Sequence, residues 1–260
     1  MELFITEFHK FFLILSRISG IFVATPFFAN INIPMRARAA LSLLISLAVF
    51  PSLINTIKVG MPTDMVAYGW LMVREILIGI AIGFAGTIMF TAFQLSGQFY
   101  SLQMGLGIIN VMDPLSEIQM PIIGQMLSSF GFLIFLLVGG HHLVIRAVYK
   151  SFELVPTLSI PSLAPLADGL MDIFANMFKI AFMMGAPIIG VVFLCSVAMG
   201  LLARAAPQMN VMMLGWPLKI FVGVSTLILI IPMLFGKGWD VFVWLYDRID
   251  EILYEMGRLV

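Results

Sequence analysis

IAFMMGAPIIGVVFLCSVAMGLLA, residues 180–203, runs 24 positions without a charge between Lys179 and Arg204. A second uncharged run, MLSSFGFLIFLLVGGHHLVI, fills residues 126–145. About 20 consecutive apolar residues suffice to cross the hydrocarbon core as a helix. Both runs therefore read as membrane spans with charged flanks. Working outward, four further apolar segments fall at about 11–29, 39–57, 70–93 and 211–235, and the two runs extend to 126–148 and 180–203. The fold class expected is all-α: a polytopic membrane protein of about six bent apolar helices or helical hairpins, plus an amphipathic C-terminal helix.

Composition agrees. Of 260 residues, 61% are hydrophobic and 11% charged, and mean hydropathy is +1.08. A soluble domain carries about 25% charged residues, so there is too little polar surface here to cover such a core. One cysteine, Cys195, excludes a disulfide framework and multi-cysteine metal sites. Fourteen basic residues balance fourteen acidic ones, which leaves no basic field for nucleic acid. Glu2 and Glu7 precede Lys10 at the N-terminus, the wrong charge for a cleavable signal, so the first segment is expected to remain.

Several features disturb a simple six-span picture. Arg17, Arg74, Arg146 and Lys219 lie inside apolar segments. A charge at mid-bilayer costs roughly 2.5–3.5 kcal/mol on insertion scales, so some segments should meet protein or water. Pro26, Pro51, Pro187, Pro217 and Pro232 require neighbours that satisfy freed carbonyls. With six spans, seven Lys/Arg fall on the side of the termini and three (Arg36, Arg38, Arg204) opposite, which places both termini in the cytoplasm. Gly79, Gly83 and Gly86 stand at helical spacing. They admit close helix packing, within the chain or at a seam between subunits.

Two regions stand apart. Residues 94–125 read QLSGQFYSLQMGLGIINVMDPLSEIQMPIIGQ, with no Lys or Arg. The stretch is too apolar for a solvated loop and too broken by glycine and proline for one helix. It reads as a loop buried in an assembly or lining a cavity. Asp113 and Glu117 lie within it. Pro114 favours a helix cap for them, with acid/base or metal work as the alternative. The other region is residues 237–260, where Phe242, Leu245, Ile249, Ile252, Met256 and Leu259 recur at 3- and 4-residue steps. That is one helix face. Five acids against three bases on the remainder favour docking on a partner helix or the chain's own body over an anionic bilayer surface.

Motifs for catalysis are missing: no Walker A loop, GxSxG, HExxH or strand-linked GxGxxG is present. His141 and His142 are adjacent and would point about 100° apart on a helix, a poor chelate. Neither an enzyme nor a cofactor is expected. Twenty methionines either fill the core or form a deformable seal. A small-solute transporter using Arg74, Glu75 and the histidines is the competing reading, although no internal repeat accompanies it.

The stretches QMGLGIINVMDP (103–114) and QMP (119–121), with RISGIFVATPFF (17–28) and IPMRAR (33–38), resemble the FliR family of flagellar type III export-gate proteins and its injectisome relatives. The resemblance covers nearly the whole chain. It implies an all-helical subunit that closes a ring with FliP and FliQ in the bacterial inner membrane at the flagellar basal body. Its C-terminus would be cytoplasmic and near the FlhB switch protein. The hetero-oligomer would sit in lipid and pass unfolded flagellar export substrates. The family's mid-chain loop projects as a plug, which by position maps onto residues 106–120. Gly105, Leu106, Gly107, Ile108, Ile109, Val111 and Met112 are then the expected seal, Asp113 and Glu117 the loop cap, and Phe242, Leu245, Ile249, Ile252 and Met256 the partner-docking tail. The whole chain is expected to form a single export-gate domain.

Overall fold

The long apolar runs fold into helices longer than any bilayer requires. The computed structural model describes residues 2–25, 34–54, 64–106, 122–155, 164–208 and 211–258. Within these lie α1 (Glu2–Ala24), α2 (Met35–Leu53), α3 (Met65–Gln103), α4 (Ile122–Leu137), α5 (Gly140–Leu154), α6 (Ala164–Ala205) and α7 (Val211–Arg258). No strand occurs among the described residues. The chain is an all-α polytopic membrane protein: α2, α3, α6 and α7 each carry a stretch long and apolar enough to cross a membrane, and the bent pair α4–α5 supplies a fifth if taken as one span. At about 1.5 Å per residue, the 39, 42 and 48 residues of α3, α6 and α7 reach about 60–70 Å, twice the roughly 30 Å hydrocarbon core.

Three boundaries differ from the expectation. The segment 126–148 is not one straight helix. It breaks between α4 and α5 with a 67° bend, because Gly139 takes the left-handed φ of 74° that a side chain would disfavour. The loop read at 94–125 is shorter: α3 continues to Gln103 and α4 starts at Ile122, since the glycine at 97 serves helix packing and not a turn. The tail is no separate helix, for α7 runs unbroken through Lys237 to Arg258. Pro217 and Pro232 sit within it.

Two compact units emerge. The first comprises Met1–Met89, Gly139–Phe174 and Val243–Val260, and the second Phe90–Val138 and Ala175–Phe242. In the first unit α1 lies against α3 along small residues. A Cβ on Gly79 would sit 2.0 Å from the Arg17 carbonyl oxygen, and one on Gly20 would sit 2.4 Å from the Ile76 oxygen. Gly83 meets Ile21 and Ala24 in the same way, whereas Gly86 faces open space. Glycines 79 and 83 therefore form a seam inside the chain. One turn further, the Thr87 hydroxyl donates to the Ala24 carbonyl at 2.5 Å.

The second unit is held by glycine contacts and phenylalanine rings. A Cβ on Gly97 would meet the Gly124 Cα at 2.4 Å, so the α3 and α4 backbones touch there. Phe93 stacks on Phe242 at 5.7 Å, and Phe90 and Phe135 meet the same ring edge-on or tilted at 5.4 Å. Pro187 breaks the α6 ladder. One residue from the carbonyl it leaves bare, the fully buried Tyr100 hydroxyl donates to the Met184 oxygen at 2.5 Å. A neighbouring helix thus hydrogen-bonds the α6 backbone beside its proline break.

Candidate functional site

The residues expected to seal a pore leave α3 through a defined helix terminus. Gly105 has φ 82°. Its N–H donates to the Leu102 oxygen at 3.1 Å, and the Leu106 N–H donates to the Ser101 oxygen at 2.9 Å. This pair of bonds around a left-handed residue is the Schellman motif, which satisfies carbonyls at a helix end. Met104, just before it, is fully buried and fills the notch left by Gly223, where an added Cβ would meet the methionine side chain at 2.5–2.9 Å. Fifteen residues separate the Schellman turn from Ile122, where the chain re-enters helix, and Gly97 and Gly124 bring that helix against α3. Gly105 and Leu106 thus lie at the root of a stem made of α3 and α4. Gly107, Ile108, Ile109, Val111, Met112 and the cap pair Asp113 and Glu117 lie outside the described residues.

The turn itself is testable. A side chain on Gly105 would make ordinary contacts, 3.9 Å to the Trp216 ring, so its cost is the positive φ alone. Gly105→Ala is expected to destabilise by about 1 kcal/mol, read as a lowered thermal midpoint in detergent. An unchanged midpoint would mean that the helix end adopts another conformation.

The embedded charges take four different environments. Arg17 and Glu75 are both fully buried and pair at 2.5 Å from Nε to Oε2. Arg17 also donates to the Ser151 hydroxyl at 3.0 Å and to the Val155 carbonyl at 3.4 Å. Its guanidinium carbon stands 3.8 Å over the Phe152 ring centroid. Arg74 reaches the second Glu75 oxygen at 3.3 Å. Arg17 thereby ties together three helices of the first unit, α1, α3 and α5. Arg146 is exposed on α5, and Lys219 lines a cavity between α6 and α7. Sequence reasoning found these charges but not the Arg17–Glu75 pairing, since 58 residues separate the partners.

The tail face is buried against the chain itself. Phe242 belongs to the phenylalanine cluster of the second unit, and Leu245, Ile252 and Met256 are buried in the first. Ile249, Ile252 and Met256 pack around a small apolar cavity shared with Ile78, Ala81 and Ala85 of α3. Gly169 of α6 receives the Ile252 side chain, and the Gly257 backbone lies on the Leu154 carbonyl. On the polar side Lys150 pairs with Asp250, and Arg248 pairs with Asp172 at 3.1 Å and Glu251 at 2.6 Å. His141 and His142 are exposed at the α4–α5 bend, their rings 4.1 Å apart. No group of three or more metal-ligating side chains occurs among the described residues.

Comparison with known proteins bears on the same architecture. Residues 8–242 match the family of bacterial export proteins, family 1. The chain is 32% identical to flagellar biosynthetic protein FliR of Bacillus subtilis (strain 168), over 99% of both chains. It is 30% identical to the protein of that name from Pectobacterium carotovorum subsp. carotovorum, over 95% of this chain and 94% of the relative. With that of Escherichia coli (strain K12) it shares 28% identity over 98% and 97%. The apolar helices, their proline breaks and the mid-chain stem thus lie within an end-to-end match, and the chain belongs to the bacterial export protein family 1, the family of flagellar biosynthetic protein FliR.

Proposed function

We propose that this protein is a non-enzymatic subunit of the flagellar type III protein export gate. In this reading it forms with FliP and FliQ a channel in the bacterial inner membrane at the basal body, through which unfolded flagellar subunits pass. Its C-terminal end is cytoplasmic and close to FlhB. The observation that carries the reading is the near-complete overlap with relatives named flagellar biosynthetic protein FliR. The exposed apolar surface supports it physically: in the most apolar stretches of α6 and α7 only 17% of residues are buried inside the chain, leaving wide faces for lipid and other subunits. The α3–α4 stem suits a plug, because a rigid base lets a short apolar segment occlude a channel. Gly107, Ile108, Ile109, Val111 and Met112 close the pore by dewetting, and Asp113 and Glu117 cap the following turn.

Deleting residues 107–111 tests this. The complex should still assemble, because the stem contacts lie outside the deletion, but it should conduct ions in planar bilayers, and cells expressing it should become sensitive to small toxic solutes. Met112→Leu keeps volume and should be nearly silent. A deleted complex as tight as the parent would move the seal to another part of the gate. Loss of motility with intact metabolite uptake in a strain lacking the chain separates an export gate from a solute transporter.

A further inference from the structure

Lys219 stands in a cavity of about 270 Å³ between α6 and α7, far larger than the roughly 30 Å³ a water occupies in the liquid. Gly200 and Gly215 make the space, and Met199 and Trp216 wall it. Ser196 also lines it, but its hydroxyl donates to the Val192 carbonyl at 2.8 Å within its own helix. Lys219 is the cavity's one charged residue and is half-buried. No acidic group pairs with it among the described residues. The second unit's described residues hold four cations, Lys179, Arg204, Lys219 and Lys237, against one acid, Asp240. Arg204 follows directly on Ala203, which also lines the cavity.

A cation without a counter-charge is costly at membrane depth unless it reaches the interface or meets an anion. Lys219 lies eight residues from the start of α7, about 12 Å along the axis, and its long stem can carry the ammonium toward that end. Trp216, 39% exposed, is the side-chain type that settles at the headgroup level. Elsewhere on the same two helices Leu201, Leu202 and Phe221 are exposed and apolar, a surface that acyl chains cover and a free anion does not need. Basic pockets between membrane helices hold anionic headgroups. The geometry points to a phospholipid site: the cavity takes the phosphate-bearing headgroup of an anionic lipid, with Lys219 as its charge partner and the neighbouring apolar faces under its chains. This assignment is independent of the export-gate reading.

The test is native mass spectrometry of the full chain in detergent, titrated with dioleoylphosphatidylglycerol, dioleoylphosphatidylcholine or inorganic phosphate. The parent should retain phosphatidylglycerol with a preference of about fivefold or more over phosphatidylcholine, the increment one near-surface cation supplies. Lys219→Gln should lose that preference and Lys219→Arg should keep it. Gly200→Leu, whose Cβ has no neighbour within 4 Å, should fold normally, fill the space and release the lipid with the charge intact. Equal retention of the two lipids by the parent, or an unchanged preference in Lys219→Gln, overturns the assignment. So does binding of inorganic phosphate that depends on Lys219, which would mark a soluble-anion site.

Discussion

Replacing Glu75 with leucine is expected to cost about 3–5 kcal/mol of folding stability, because it leaves Arg17 as an uncompensated buried charge. Arg17 has no water to turn to: it is fully buried, and its remaining partners are a serine hydroxyl, a carbonyl and a ring face. The reverse change, Arg17→Met, strands Glu75 less severely, since Arg74 still reaches its second oxygen. The double variant Arg17→Met/Glu75→Leu should recover most of the loss, because a well-packed apolar pair of similar volume replaces a buried ion pair at little cost. Thermal midpoints of the purified proteins in detergent read all three, and protease resistance of the membrane-inserted chain serves where a single variant cannot be purified. Single variants as stable as the parent would mean that water reaches the pair.

A comparably large loss is expected for Gly79→Leu. Its Cβ would lie 2.0 Å from the Arg17 carbonyl oxygen and 3.1 Å from the Ile21 nitrogen. Both are backbone atoms, which cannot swing aside as a side chain can. The α1–α3 crossing must open, and overpacking of this kind costs about 3 kcal/mol or more. Gly86 lies seven residues on and has no neighbour within 4 Å of a Cβ. Gly86→Ala should therefore gain about 1 kcal/mol from helix propensity alone. Opposite signs from the two glycines, measured by the same thermal midpoints, would establish that contact and not composition governs this helix. A neutral Gly79→Leu would require a wider crossing than the one described.

What could be read from the chain followed the range of the forces involved. The glycine spacing at 79 and 83 announces a close helix approach, because periodicity along one helix is local. The partner, α1, is not local, and the spacing alone leaves it open between this chain and another. Arg17 and Glu75 were visible as misplaced charges, but nothing at either position names the other. The break after Val138 had its signal in Gly139–Gly140, overridden by the uniform hydropathy of residues 126–145. Tyr100 carries no signal in the sequence, because a buried phenol beside a proline break is recognisable only when two helices are seen together. Composition leaves each methionine open between core filling and a deformable seal, and the packing of Met104 on Gly223 makes that one core filling. The tail's apolar stripe was legible, whereas its seat on α3 and α6 was not.

The same ion pair has a consequence in time. Ribosomes add about 5–20 residues per second. Glu75 is 58 residues downstream of Arg17, so α1 emerges roughly 3–12 s before its counter-charge exists. Ser151 and Val155 lie 134 and 138 residues downstream, and their contribution arrives roughly 7–28 s late. Through that interval an unpaired arginine must be held at the insertion machinery or at the membrane surface. The first helix therefore cannot settle against its partners until the third is made, and its packing is a step that nascent-chain length controls.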